Sequence, residues 1–413
     1  MKTFKTHLEE AATGKNLHMT HAEDAVIDGG VTGTRNVINY FRAIRDMLSG
    51  NASAPVNISV KWDGAPAIFA GIDPSDGKFF IAKKGVFNKN PKIYKTNSEI
   101  DNDLSGELNA KFKVALAEFS KLGIKKGVIQ GDFLFTQEDI STDTIDGESY
   151  ITFHPNTIVY AIPENSSLAK RIKRSKIGVV WHTLYGGESF ETMSATFGKA
   201  ITPGLKEVSS VWSVDATFED KSGNATFTKE ETAALTSILS QAGSLFRTIP
   251  KNALNDLADP ELNMRVNTYI NSLVRQGQRI TNVKTFVKGL IVFVNDYYDK
   301  QADKRSTPKG KKKQDDLRNQ ALTYFRKNNA REIEKVFTLY NHLVDAKLMI
   351  VRKLEKVGGL KTFLKTRNGY EITGQEGFVA IDHLGQNSLK LVDRLQFSNA
   401  NFSDQYIKGW EKK

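Results

Sequence analysis

The chain has 413 residues, of which 39% are hydrophobic and 25% are charged, and it contains no cysteine. This length exceeds what one hydrophobic core usually supports, so we expect two domains or one domain with a large insertion. The lack of cysteine excludes disulfides, thiolate catalysis and cysteine-based metal sites. The formal net charge of +11 favours a polyanionic partner such as nucleic acid over a basic surface without a specific role.

The longest apolar run, residues 290–294, is far shorter than the roughly 20 residues that a membrane span needs. The first residues of the chain contain no apolar leader. We therefore expect a cytoplasmic protein without membrane contact, located in the host cytoplasm if it is encoded by a phage.

Residues 33–48 have apolar side chains at helical spacing and predict an amphipathic helix. The glycine-rich residues 29–34 predict a turn and the N-cap of that helix. Alternating apolar residues in 56–61 predict a half-buried strand that ends at Lys61. Further strands are expected at 67–70, 78–83, 128–135, 157–162 and 177–182. This half of the chain is therefore predicted to be an α+β sheet domain.

The pattern changes near residue 227, where Thr228 and Glu231 have the spacing of a capping box. Helical patterns follow to about residue 364, including 283–298 and 332–357. Strands are then expected at 377–382 and 388–395.

The simplest architecture is a sheet domain formed by residues 1–226 and 366–413, with a helical insertion at residues 227–365. The final strands are expected to return to the first sheet.

A lysine-rich stretch in the insertion, residues 303–315, predicts an exposed and mobile loop because it contains few apolar side chains. We expect Lys309, Lys311, Lys312 and Lys313 to contact nucleic acid, with a solvated basic face as the alternative. If they do not, the basic residues in 170–176 are the next candidates.

Lys61 is followed by Trp62, Asp63 and Gly64. A single K-x-D-G match is weak evidence, and the alternative is a lysine at a strand edge that pairs with Asp63. A lysine becomes a nucleophile only after it loses a proton, and burial among apolar groups or other cations lowers its pKa.

Together with later motifs in the same order, residues 61–64 resemble the covalent nucleotidyltransferase superfamily of ATP-dependent DNA ligases, RNA ligases and mRNA capping enzymes. The resemblance implies an antiparallel-sheet, ATP-grasp-like adenylation domain. It also implies that Lys61 attacks the α-phosphate of ATP and holds AMP covalently, with Asp63 as a second catalytic residue of the motif.

Three further elements resemble the nucleotide-binding motifs of that superfamily. In residues 82–85, Lys83 occupies the place of an arginine that contacts ribose and phosphate, and Lys84 follows it. In residues 128–134, Asp132 replaces a glutamate that binds the ribose. Tyr160 occupies the place of an aromatic ring that stacks on adenine, with core packing as the alternative.

The last two motifs concern the metal and the α-phosphate. Glu376 matches a glutamate that helps to hold the divalent metal, so ATP and Mg²⁺ (or Mn²⁺) are the implied cofactors. Lys390 matches a lysine that grips the α-phosphate. The usual second lysine is Val392 here, with Arg394 as its substitute.

These matches predict an ATP-dependent polynucleotide ligase that adenylates Lys61, passes AMP to a 5′-phosphate end and seals this end to a 3′-OH. Only about twenty residues follow Lys390, where DNA ligases and capping enzymes continue into a β-barrel, so the likeness is greater to RNA ligases, particularly those of bacteriophages.

Two alternatives remain open. One is a nucleotidyltransferase that acts on another acceptor, such as an RNA 5′ diphosphate or a protein. The other is a non-catalytic nucleic-acid-binding protein on a ligase-like fold, which is motivated by Asp132, Ala161 and Val392.

His18 and His21 precede Glu23 and Asp24 and could bind a metal if the fold brings them together. Such spacings also occur by chance, so we expect both histidines to be polar surface or supporting residues. His154 and His182 are expected to be structural.

Overall fold

The computed structural model describes residues 20–50, 56–218, 225–356, 360–382 and 388–409. His18 and the first residues of the chain lie outside these ranges. The helices of the described residues are α1 (Ala25–Leu48), α2 (Asn97–Asp103), α3 (Gly106–Phe119), α4 (Ser167–Arg174), α5 (Lys229–Thr248), α6 (Lys251–Asn255), α7 (Pro260–Arg275), α8 (Val283–Asp303), α9 (Pro308–Lys327), α10 (Ala330–Leu354) and α11 (Asn399–Phe402).

The strands predicted in the first half of the chain lie close to their expected positions, and the structure contains further strands there that were not predicted. The strands of the described residues are β1 (Val56–Lys61), β2 (Ala67–Ile72), β3 (Phe79–Ala82), β4 (Ile93–Tyr94), β5 (Val128–Thr136), β6 (Ser141–Ile145), β7 (Glu148–Phe153), β8 (Ile158–Pro163), β9 (Ile177–Gly186), β10 (Ser194–Phe197), β11 (Val211–Asp215), β12 (Lys361–Thr366), β13 (Gly369–Ile372), β14 (Gly377–Asp382) and β15 (Ser388–Leu391). The strand expected at 388–395 is shorter, because a helical turn begins at Arg394.

The described strands form three sheets. In the smallest, β14 lies between β1 and β15 and is antiparallel to both. A larger sheet has the order β10-β9-β5-β2-β3-β4, with β11 parallel to β9. The third has the order β13-β12-β8-β7-β6. The α+β class is confirmed, but the last strands do not return to one common sheet: β12 joins β8, whereas β14 joins β1.

The helices between β11 and β12 share a core with α1 and with the smallest sheet. Ile58 of β1, Phe378 of β14 and Leu391 of β15 pack in the same apolar cluster as the buried residues of α5, α7 and α10. Burial of this shared apolar surface stabilises the sheet against the helices. The end of β1 at which Lys61 lies is therefore held in place both by the smallest sheet and by the helices between β11 and β12.

The predicted start of α5 is confirmed by its cap. The Thr228 hydroxyl accepts a hydrogen bond from the Glu231 backbone N–H, and the Glu231 carboxylate accepts one from the Thr228 N–H. The predicted start of α1 is wrong, since the helix begins at Ala25 and contains a break at Gly30, where φ is 53°. A Cβ at Gly30 would lie 2.5 Å from Asn255 Oδ1, so the close approach of α6 also requires glycine.

The predicted loop at 303–315 is also wrong. The connection between α8 and α9 is short, and the lysines from Lys309 to Lys313 lie in the first turns of α9. Thr307 caps this helix by accepting a hydrogen bond from Gly310 N, and Pro308 occupies the first helical position. The predicted exposure of the four lysines is confirmed.

No helix among the described residues is sufficiently long and apolar to cross a membrane.

Candidate active site

Lys61 is the last residue of β1, and the pairing of β1 with β14 sets it opposite Gly377. Glu376 directly precedes Gly377, and its Oε1 atom contacts Lys61 Nζ in an ion pair. Lys390 lies in β15, on the other side of β14, near enough for the charges of Lys61 and Glu376 to affect its pKa. The smallest sheet thus brings together three predicted site residues that are distant in the sequence.

The charges at this sheet edge influence one another strongly. Burial by itself would lower the pKa of Lys61, but the carboxylates of Glu376 and Asp132 raise it above its usual value. Burial raises the pKa of Glu376 to about 7, although the neighbouring Lys61 opposes this shift. Lys61 is therefore a paired ammonium in this structure, and its surroundings do not supply the lowered pKa that a nucleophilic lysine requires.

The pKa of Lys390 is shifted in the opposite direction from that of Lys61. Its burial, together with the positive charge of Lys61, lowers its pKa, and the negative charge of Glu376 only partly offsets these effects. A partly desolvated ammonium at this position gains free energy when an anion binds beside it.

Asp63 is buried and holds the chain segment that follows Lys61 in place. Its Oδ2 accepts hydrogen bonds of 2.7 Å from the backbone N–H groups of Thr157 and Ile158, and its Oδ1 accepts one of 2.8 Å from the Asn156 amide. Its own N–H donates to the hydroxyl of Tyr160. Through these contacts Asp63 ties the end of β1 to the start of β8 and so positions Lys61, and its catalytic role stays a prediction.

The glycine of the K-W-D-G motif allows a close approach between two chain segments. A Cβ at Gly64 would lie 2.6 Å from the Asp132 Cβ and 2.9 Å from the carbonyl oxygen of Phe133. The next residue, Ala65, donates its N–H to the same carbonyl at 3.0 Å. Because only glycine fits here, the segment after Lys61 packs directly on β5 and brings Asp132 near the lysine.

Asp132 is partly exposed, with 3.8 Å between its Oδ1 and His182 Nε2. Its charge contributes to the raised pKa of both Lys61 and Glu376. His182, which was expected to be structural, is therefore a neighbour of the candidate site through Asp132. Sequence patterns could not predict this proximity, because strands β5 and β9 pair with a register shift near Gly131.

Tyr160 belongs to the interior of the protein. Its side chain is 2% exposed, and its ring lies 5.1 Å from that of Trp62 and 5.3 Å from that of Phe153, between centroids. Its hydroxyl accepts the hydrogen bond from Asp63. This placement favours the core-packing alternative over the predicted stacking on adenine, because the neighbouring rings occupy the space around it.

Lys83 and Lys84 follow the end of β3, in a different sheet from Lys61. Lys83 Nζ lies 3.3 Å from a carboxylate oxygen of Asp103, which also accepts hydrogen bonds from Lys92 and Tyr94. These three donors, Tyr94 first, lower the pKa of Asp103. In this structure Lys83 is therefore paired with Asp103 rather than with a residue of the sheet that carries Lys61.

Arg394, the predicted substitute for a phosphate-binding lysine, is directed elsewhere. Its Nη1 donates to Asp24 at 2.9 Å and to the Tyr340 hydroxyl at 3.2 Å, and its Nη2 donates to Asn271 at 2.5 Å. Asp24, Tyr340 and other buried neighbours raise its pKa despite its burial. Arg394 therefore ties the segment after β15 to α7 and α10, which corrects its predicted role.

The N-terminal segment contributes a residue that the sequence motifs do not include. His21 pairs with Lys390 in an isolated β-bridge, and its buried Nδ1 atom has no hydrogen-bond partner among the described residues. Burial first, and then the charges of Lys347, Arg394, Lys390 and Lys61, lower the pKa of His21. A neutral imidazole therefore lies among cations beside the site.

Two carboxylates near Lys61 are available as oxygen donors for a metal ion. Glu376 Oε2 is buried and has no hydrogen-bond partner among the described residues, and Asp132 is close enough to affect the pKa of Glu376. The described residues contain no group of three or more histidine or acidic side chains that could hold a metal. This donor set suits Mg²⁺ or Mn²⁺ that takes its remaining ligands from water and phosphate, rather than a metal bound by protein alone.

Residues 16–406 match a family described as a family of unknown function (DUF6267), and the chain belongs to this family. No curated protein and no solved structure matches the chain.

Proposed function

We propose that this protein is an ATP-dependent polynucleotide ligase that forms a covalent lysyl-AMP at Lys61 and acts on RNA ends. The observation that carries the proposal is the pairing of β1 with β14, because it holds Lys61 against Glu376 with Lys390 on the adjacent strand. The chemistry requires a nucleophile, a proton acceptor and a cation for the α-phosphate, and these three residues can supply them.

In the first step, Lys61 Nζ attacks the α-phosphorus of ATP. A P–N bond forms, the bond to the bridging oxygen breaks, and pyrophosphate leaves with the electron pair. The ammonium loses one proton before the attack and a second as the P–N bond forms. Glu376 Oε1 touches Nζ and accepts the first proton, and the second passes to solvent.

Lys390 offsets the negative charge that grows on the α-phosphate oxygens. A bound Mg²⁺ or Mn²⁺ ion would neutralise and orient the phosphates. Glu376 Oε2 and Asp132 would hold such an ion.

In the later steps, a 5′-phosphate oxygen of the polynucleotide attacks the AMP phosphorus and releases Lys61. A 3′-OH then attacks the activated 5′ end, and AMP leaves. The net charge of +11 and the exposed lysines of α9 support a polynucleotide acceptor, because each phosphate contact releases condensed counterions.

The test is incubation with α-labelled ATP and Mg²⁺, followed by denaturing electrophoresis. We expect a labelled protein band for the wild type and for Lys78→Ala, a control at an exposed lysine, and no band for Lys61→Ala. Lys61→Arg should also fail, because arginine keeps its proton. A band of wild-type intensity in either Lys61 variant would contradict the proposal.

A chase of the labelled protein with 5′-phosphorylated RNA separates ligation from transfer to another acceptor. We expect the label to move to the RNA end and then appear as free AMP when a 3′-OH end is present. Label that leaves the protein only with a 5′-diphosphate RNA or a protein acceptor would favour the other nucleotidyltransferase alternative.

A specific observation favours the non-catalytic alternative. Lys61 is held as a paired ammonium, and Tyr160 is enclosed in the core. Wild-type protein that binds RNA but never acquires label, with any of the four nucleoside triphosphates, would establish this second candidate function.

A further inference from the structure

A basic surface patch is assembled from three separate parts of the chain. They are the end of α3, α4 with the residue before β9, and the connection between β10 and β11. The patch consists of five exposed cations, namely Lys121, Arg171, Arg174, Lys176 and Lys206. The basic stretch 170–176 contributes three of these side chains, and the fold adds the other two. A cluster of cations on one face is the electrostatic footprint of a polyanionic partner.

The carboxylate of Glu118, which is only 5% exposed, holds two of these lysines side by side. Its Oε2 accepts hydrogen bonds of 2.7 Å from Lys121 Nζ and 2.6 Å from the Ser210 hydroxyl, and its Oε1 lies 3.6 Å from Lys176 Nζ. Burial by itself would raise the pKa of Glu118, but the hydrogen bonds from Lys121 and Ser210 lower it. Glu118 is therefore charged at neutral pH and fixes the positions of both ammonium groups.

Lys206 and Arg171 meet this pair of lysines from the two other segments. The Lys206 N–H donates to the carbonyl oxygen of Leu122, the residue after Lys121, at 2.8 Å. Glu207, the next residue, lies 3.7 Å from Arg171 Nη2 through its Oε1 atom. The three segments therefore present their cations on one continuous stretch of surface.

The patch keeps a positive charge after its internal ion pairs are taken into account. Among the described residues, Glu118 and Glu207 are the only carboxylates within 4 Å of the five cations. Arg174 follows Arg171 by three residues and lies on the same face of α4. Arg174 and Lys206 can therefore contact phosphates without first giving up an ion pair, and each such contact releases condensed counterions.

The patch offers charge but no ring for base stacking. In residues 118–122, 167–176 and 206–212 the aromatic side chains are Phe119 and Trp212, which are 0% and 3% exposed. Proteins that bind single strands usually combine a basic groove with exposed aromatic rings on which bases stack. A duplex encloses its bases and presents its phosphates outward, so fixed cations alone are sufficient to bind it.

We propose that this basic patch binds the phosphate backbone of a double-stranded nucleic acid. The contact is separate from the one predicted for α9 with single strands. It does not depend on the proposed ligase activity, because none of its five cations belongs to the site of Lys61, Glu376 and Lys390.

Salt titration of binding, followed by fluorescence anisotropy on the full chain, tests the proposal. The ligands are a duplex RNA and a duplex DNA of equal length, which distinguish the two sources of the backbone, and their single strands. The triple variant Arg171→Gln, Arg174→Gln and Lys206→Gln removes three charges and leaves the contacts of Glu118 intact. We expect the slope of log affinity against log salt for a bound duplex to decrease by about 0.9 for each phosphate contact that is lost.

The matched control is Lys78→Gln, Lys229→Gln and Lys284→Gln, which removes three charges from exposed lysines elsewhere on the protein. The control should keep the wild-type slope, with all folds verified by circular dichroism. Equal slopes in the variant and the control would overturn the proposal, as would single strands that bind as tightly as the duplexes and lose as much in the variant. A wild type that binds neither duplex would also overturn it and would direct attention to an acidic protein as the partner.

Discussion

The protein contains two lysine–glutamate pairs that differ in their access to solvent. In the pair of Lys347 and Glu23, both side chains are 1% exposed, and the pair lies where α10 meets the N-terminal segment. In the pair of Lys61 and Glu376, the side chains are 22% and 10% exposed. The enclosed pair thus joins parts of the fold, whereas the partly open pair leaves its lysine accessible to solvent.

The largest effect on stability should come from breaking the enclosed pair. Lys347→Met removes the nearest partner of the buried Glu23 carboxylate and leaves Arg394, at 3.8 Å, to offset part of its charge. Removing one partner of a buried ion pair typically costs about 3–5 kcal/mol of unfolding free energy. Lys61→Met should cost much less, because Glu376 has a pKa of about 7 and can become protonated. Urea denaturation of both variants measures the difference.

The control is the double variant Glu23→Gln with Lys347→Met, which removes both charges and should recover part of the lost stability. If Lys347→Met were no more destabilising than Lys61→Met, the contrast between the two pairs would be incorrect.

Substitutions at the partly open pair of Lys61 and Glu376 should have large effects on the rate of adenylation. We expect Glu376→Ala to lower the rate of adenylation by about 10²–10³, the usual effect of removing one preorganised electrostatic contact. Lys390→Ala should have an effect of similar size. Rapid-quench measurement with labelled ATP gives these rates, and a Glu376→Ala rate equal to that of the wild type would show that this carboxylate has no part in the reaction.

The strands and the motif residues of the candidate site could be predicted from the sequence, whereas the contacts between distant segments could not. Alternating residues predicted β1 and β14 well, and the motif order placed Lys61, Glu376 and Lys390 in one site. The contribution of His21 and the orientation of Arg394 could not be predicted, because they depend on contacts between segments far apart in the chain. Local patterns carry no information on such pairings.

The start of α9 was predicted wrongly as a loop, although the sequence contains the signal for a helix start. Thr307 and Pro308 have the residue types of an N-cap and a first helical position. The lysine-rich composition favours a loop, whereas this cap favours a helix. A pair such as Lys312 and Asp316, four residues apart, further supports a helix in this stretch.

The open pair also predicts how stability depends on pH. In the folded state the pKa of Glu376 is raised to about 7 from its ordinary value near 4.5, so the folded protein binds more protons than the unfolded chain between these values. The stability contributed by Glu376 is therefore present at low pH and is lost as pH rises through this interval. Relative to Glu376→Gln, the wild type should lose unfolding free energy between pH 4.5 and 7, and a difference that stays constant with pH would exclude the shift.

The exposed lysines of α9 should have the smallest effect on the fold and a measurable effect on binding. Replacing Lys309, Lys311, Lys312 and Lys313 by glutamine should leave adenylation intact and change stability by less than about 0.5 kcal/mol for each substitution. The slope of log affinity against log salt for single-stranded RNA should decrease by up to about 0.7 per charge. An unaltered slope would direct attention to the exposed basic residues of α4, namely Lys170, Arg171, Lys173 and Arg174.

The central claim is that an accessible, carboxylate-paired lysine is the nucleophile, and peptide mapping tests it most directly. The protein would be incubated with ATP and Mg²⁺, digested under conditions that preserve P–N bonds, and analysed by mass spectrometry. We predict one AMP on Lys61 and none on the enclosed Lys347. The absence of any AMP adduct, or its attachment to another residue while Lys61 remains unmodified, would contradict the account.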